Sequence, residues 1–199
     1  MKINVSSGIE RPVLKDGLYV CKIVDMVDKP DNEYDGKLSP QISLYLQPLS
    51  KLGSDKPMED VKGNEYAPSR VIEVDGVEKE IPRILFYNVG YFFVNGEATF
   101  STSDKSKYYK LKQAIFGSKE AIYENLEDYM GDTLVANVIV REGKKGQRNT
   151  IESIANHEDN TIKTKTQIAK AVGAWRKMRD EIEARVSEKS DVDLGTVPF

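Results

Sequence analysis

Apolar and polar residues alternate through much of the first hundred positions, and alternation sends neighbouring side chains to opposite faces of a strand. In GLYVCKIVDMV, residues 17–27, Tyr19, Cys21 and Ile23 fall on one face and Leu18, Val20, Val24 and Met26 on the other. QISLYLQPL repeats the pattern, with Ile42, Leu44 and Leu46 set against Ser43, Tyr45 and Gln47, and Pro48 is expected to end that strand or mark an edge. Residues 50–69 form a polar excursion with two prolines and two glycines. RVIEV and VEKEI then flank Asp75-Gly76, and the run from Pro82 to Phe100 turns at Asn95-Gly96; both dipeptides suit a tight hairpin.

From Ser103 the period lengthens. Tyr108, Leu111 and Ile115 recur at helical spacing, with Ser103 or Asp104 as N-cap and Gly117 as the stop. A second short helix is predicted across 118–129. Strands return in DTLVANVIVRE and NTIESIA, joined by GKKGQ. Residues 156–160 read as a boundary. Ile168, Val172, Trp175, Met178 or Arg179, and Ile182 then mark one amphipathic helix over 161–185. From Val186 the periodicity ends and disorder is expected.

A series of short antiparallel strands with a helix before the last pair predicts a mainly β chain, an OB-fold barrel with an inserted helix. A long C-terminal helix and a disordered acidic tail would follow it. The strand segments exceed the five of such a barrel, so some must be hairpin extensions or halves of a bent strand. The implied division is 1–156 for the barrel, 157–186 for the helix and 187–199 for the tail.

Composition narrows the chemistry. Among 199 residues there is one histidine, His157, and one cysteine, Cys21, which excludes a zinc site of the usual Cys/His kind and any internal disulfide. No phosphate-binding glycine loop, metalloprotease helix or nucleophile elbow is present; Asp25 with Asp28, or Asp31, Glu33 and Asp35, have oxygens that suit a divalent ion, but the plainer reading of NEYDG is a solvated turn. No catalytic residue, metal or cofactor is therefore expected. Neither a membrane span nor a secretory signal is visible, and a cytoplasmic chain is expected.

The net charge of −3 hides a local bias. Lys105, Lys107, Lys110, Lys112 and Lys119 occur without an intervening acid, and Arg141, Lys144, Lys145 and Arg148 surround a turn. Aromatics crowd residues 86–100. Rings beside cations are what a single-strand nucleic-acid binder uses, each stacked base contributing about 1–3 kcal/mol. The expected nucleic-acid contacts are Tyr45, Tyr87 and Tyr91 for stacking, with Arg83, Lys105, Lys107, Arg141, Lys144, Lys145 and Arg148 for phosphates. Each also has a plainer reading, as sheet packing for a tyrosine or as a solvated cation for a lysine.

The ending SDVDLGTVPF puts acids before an apolar tip, an order suited to docking as a short linear motif. Through Asp191, Asp193, Pro198 and Phe199 it resembles the tails of bacterial and phage single-stranded DNA-binding proteins. It departs from them in having Val197 where isoleucine is common and in the interruption Leu194-Gly195-Thr196. More loosely, Gly17, Tyr19 and Ile23, with the lysine-rich segment 106–111, resemble phage-encoded members.

The resemblance implies single-stranded DNA as ligand, bound and protected without sequence preference. It implies replication or recombination proteins as partners of the tail, a cytoplasmic location (the host's, if phage-encoded), and room for a homo-oligomer. The alternative is a protein-interaction or virion structural module on the same β body.

Overall fold

The computed structural model describes residues 12–74, 76–117, 119, 123–143, 146–158 and 162–192. Its centre is an antiparallel five-stranded sheet. β1 (Gly17–Lys29) leads through the small ribbon of β2 (Glu33–Tyr34) and β3 (Lys37–Leu38) into β4 (Gln41–Lys51). A hairpin of β5 (Ser69–Val74) and β6 (Val77–Pro82) precedes β7 (Leu85–Gly90), and a second, of β8 (Phe92–Val94) and β9 (Glu97–Thr99), follows it. Helix α1 (Lys107–Phe116) and a 3-10 turn (Leu126–Tyr129) lead to β10 (Thr133–Gly143), β11 (Gly146–Ala155) and α2 (Lys165–Val192). The sheet order is β11-β10-β1-β4-β7, and the three remaining strand pairs are separate two-stranded sheets.

The inward face carries Tyr19, Cys21, Ile23, Leu44, Leu46, Leu85, Tyr87, Val89, Leu134, Ala136 and Val138, all buried. Leu111, Ala114, Ile115 and Phe116 of α1 pack against this face. Met26 was expected opposite Ile23, yet it is buried beside it. A bulge between Ile23 and Asp25 inserts one residue, which reverses the parity of the rest of β1. Pro48 does not end β4. The β4–β7 ladder stops at Leu46, so no strand on that side needs the amide that proline lacks. At Asn95 and Gly96 the φ angles of 52° and 85° give the tight turn expected there.

Helix α1 starts two or three residues later than the expected caps, Ser103 or Asp104, would place it. Ser106 is its N-cap, accepting from the Tyr109 amide at 3.0 Å and donating to the Ser101 carbonyl at 2.7 Å. Of the helix expected over 118–129, the described part forms only the 3-10 turn. Helix α2 runs to Val192, into the segment read as tail, where Glu188 and Lys189 are the good helix formers.

The predicted OB barrel is not formed. The strand order places β7 and β11 at opposite edges; the sheet curls until they are neighbours, and α1 packs against both, but no ladder joins them. Closure requires that ladder, so the fold is a mixed one of two helices and open sheets, not a closed mainly-β barrel. Among the described residues no helix is long and apolar enough to cross a membrane.

Candidate functional site

Strand β7 fixes which aromatic residues meet solvent. Leu85, Tyr87 and Val89 point inward, so Phe86, Asn88 and Gly90 point outward. Phe86 is 56% exposed and meets half-buried Tyr45 of β4 edge to face, with ring centroids 5.0 Å apart. These two residues are opposite each other in the β4–β7 ladder, and Asp25 of β1 is opposite Tyr45 on its other side. One row across three strands therefore holds Asp25, Tyr45 and Phe86.

Beyond Gly90 the chain passes through buried Tyr91 into the β8–β9 hairpin. Phe92, Phe93 and Val94 there are 48%, 50% and 45% exposed. Three residues per strand are too few to stand alone in water. The hairpin is rooted by ring contacts: Tyr91 meets Phe93 at 5.5 Å and Phe100 at 5.8 Å, and Phe100 stacks on Tyr108 of α1 at 4.6 Å. The Tyr91 hydroxyl donates to Asp28 Oδ1 at 2.8 Å, and burial with that carboxylate beside it pushes its pKa up to about 12. This chain of rings ties the exposed hairpin to the start of α1, where Lys105 just before the helix and Lys107 and Lys110 on it are exposed. Lys107 Nζ lies 5.3 Å from the centre of the Tyr87 ring. No acidic residue occupies the first turn of α1.

The expected nucleic-acid contacts do not form one surface. Tyr87 and Tyr91 are core residues and offer no face to a base; the Tyr87 hydroxyl reaches the Lys107 carbonyl at 3.3 Å, and burial raises its pKa to about 12. Arg83 lies with its guanidinium 5.2 Å from the Tyr66 ring centre, its Nε shielded from solvent without an acceptor. Arg141 and Arg148 are exposed and directly opposite each other on β10 and β11. Lys105 and Lys107 are exposed on and before α1. Asp191 lies on α2, while Lys144, Lys145, Asp193, Pro198 and Phe199 fall outside the described residues.

Without a closed barrel, and with two of three stacking tyrosines turned inward, the expectation of single-stranded DNA binding is overturned. The likeness to single-stranded DNA-binding proteins, and the DNA and replication partners it implied, go with it. Phe86, Phe92, Phe93 and Val94 were missed as exposed anchors. The signal was present in β7, where polar Asn88 and Gly90 share a parity with Phe86 and mark the solvent face.

A second cluster is polar and enclosed. Asp132, 3% exposed, has Oδ1 3.3 Å from Lys163 Nζ and accepts from the Tyr123 hydroxyl at 3.3 Å, while Oδ2 has no partner. Lys163 donates to the carbonyls of Asp128, at 2.7 Å, and Met130, and its backbone amide donates to the Tyr123 hydroxyl at 3.2 Å. Desolvation lifts Asp132 to about pKa 6 against the opposing pull of Lys163, and lowers Lys163. Burial also raises Tyr123 and Tyr129. These groups bind the connector before α2 to the start of β10.

No protein-family model matches the chain, and no curated protein matches it.

Proposed function

We propose that the chain is a non-catalytic protein-docking module. Its β8–β9 hairpin and the lysines at the start of α1, joined to it by the chain of rings, receive a partner segment with an apolar anchor flanked by acidic residues. The observation that carries this reading is the half-exposure of Phe92, Phe93 and Val94 on one hairpin rooted in buried Tyr91. Burying a fully exposed side chain of this kind contributes about 1.5–3 kcal/mol, so the half of each that is still exposed gives a partner about 2–4 kcal/mol from the three together. Lys105, Lys107 and Lys110 select the sign of its flanks, because like charges brought together at an interface oppose binding.

The non-catalytic part is supported by where the perturbed groups sit. Asp132, Tyr123 and Lys163 face one another inside the fold and spend their bonds on holding it. A cytoplasmic location belongs to the same proposal; it is supported by the single cysteine, a buried thiol that burial pushes up to about 12.

The test is fluorescence anisotropy with two labelled ten-residue peptides, each carrying two phenylalanines, one flanked by glutamates and the other by lysines. The acidic peptide binds, more weakly as salt rises, and loses binding to the double variant Phe92→Ser/Phe93→Ser, while Arg141→Ala leaves it intact. Equal binding of both peptides, or an unchanged double variant, refutes the reading.

A further inference from the structure

We infer that α2, with its connector, is a releasable strap that covers the unpaired edge of β1 at Asp25 and Met26 and opens as a unit while the five-stranded sheet stays folded. The inference does not depend on what binds the aromatic hairpin.

β1 is longer than its neighbour on one side. It pairs with β4 as far as Lys29, but with β10 only over residues 17–22. The last bonds on the β10 side are those of Ile23, whose amide donates to the Asp132 carbonyl and whose carbonyl accepts from the Gly131 amide, each at 2.9 Å. Beyond it no strand among the described residues lies on that side, and residues 24–29 would present a free edge there. Free edges invite strand addition from other chains, and folded proteins cover them with a helix or a charge.

Helix α2 supplies both. Trp175 Nε1 donates to Asp25 Oδ1 at 2.7 Å, and Arg179 Nη1 donates to the Met26 carbonyl at 2.8 Å, so a guanidinium serves a strand carbonyl. The same guanidinium lies 5.5 Å from the Trp175 ring centre. The periodicity left Met178 or Arg179 as the inward residue; it is Arg179, and Met178 is exposed. Arg176 pairs with Glu127 of the 3-10 turn, and Lys163 anchors the connector to Asp132 and two carbonyls.

The balance of forces makes the strap separable. From the connector and helix, Ile162, Ile168 and Trp175 pack against the core, and each is only partly buried. Most of the attachment is therefore polar, and water replaces such bonds at small net cost, about 0.5–1.5 kcal/mol each. The sheet beneath holds fully buried Leu44, Leu46, Ile23 and Leu134, which have no such replacement. Segments with few buried apolar contacts open below the global unfolding free energy.

Hydrogen exchange of the full-length chain, read by mass spectrometry, tests this. Amides of 165–180 and those amides of 24–29 that are not bonded to β4, Met26 among them because it donates to Asp25 Oδ1, are expected to share one protection level, at least tenfold below that of 133–142. Arg179→Ala accelerates both segments by a common factor and leaves β10 and β11 unchanged; Arg179→Lys restores part of the protection. Lys177→Ala, on the exposed face of the helix, changes neither segment. Equal protection of α2 and β10 in the unaltered chain overturns the inference without any variant having to fold. Acceleration of α2 alone, or of every segment together, in Arg179→Ala overturns it as well.

Discussion

Replacing Asp132 with asparagine tests the enclosed polar cluster. The carboxylate is almost wholly removed from water, Lys163 and Tyr123 reach only one of its oxygens, and its pKa in the folded chain is about 6 against an ordinary 3.8. The folded state therefore holds a proton that the unfolded state has released across that window. Stability from this group is fully present below about pH 3.8 and is lost as pH rises through 6. The difference between the two pKa values corresponds to on the order of 3 kcal/mol.

Asparagine has no such proton, so its stability profile lacks this component. Urea unfolding followed by tyrosine near-UV circular dichroism at several pH values from 4 to 7.5 measures it. The unaltered chain should lose on the order of 3 kcal/mol relative to Asp132→Asn between the ends of that range, most of it between pH 4 and 6. Parallel profiles would show that the ion pair with Lys163 offsets desolvation in full, and would refute the reasoning.

Arg141 and Arg148 are directly opposite on β10 and β11, and like charges in that arrangement destabilise by about 0.2–1 kcal/mol. Arg148→Thr should stabilise the chain by that amount in low salt, and the gain should vanish in high salt if urea midpoints are compared. Leu44→Ala removes a fully buried side chain from the middle of the sheet and should cost about 2–5 kcal/mol in the same unfolding assay. Gly96 has a φ of 85° with open space where a Cβ would stand, so Gly96→Ala carries a conformational cost of about 1–2 kcal/mol and no clash. Its effect should fall on the hairpin, weakening acidic-peptide binding about tenfold with little change in the melting temperature.

The local elements are legible in short stretches of the chain. Alternation placed Tyr19, Cys21, Ile23, Leu44 and Leu46 on the buried face, Asn95-Gly96 specified its turn, and the 3.6-residue period located α1 and α2. Each of these signals is carried by residues a few positions apart, where side-chain direction and backbone torsion act directly. Parity also marked Phe86 as exposed, through Asn88 and Gly90, although the tyrosines beside it drew the functional reading.

Other features depended on residues far apart in the chain. The bulge after Ile23 turned Met26 inward, and the gap between β7 and β11 stayed unbridged with α1 packed against both edges. Trp175 found its acceptor on Asp25, 150 residues away in the chain. Alternation states that two side chains share a face, but it does not state which strands close a sheet or which edge a helix will cover. Those outcomes depend on strand length and register compared across the whole fold: β1 outruns β10 beyond residue 22, and only the assembled sheet leaves the free edge that α2 covers.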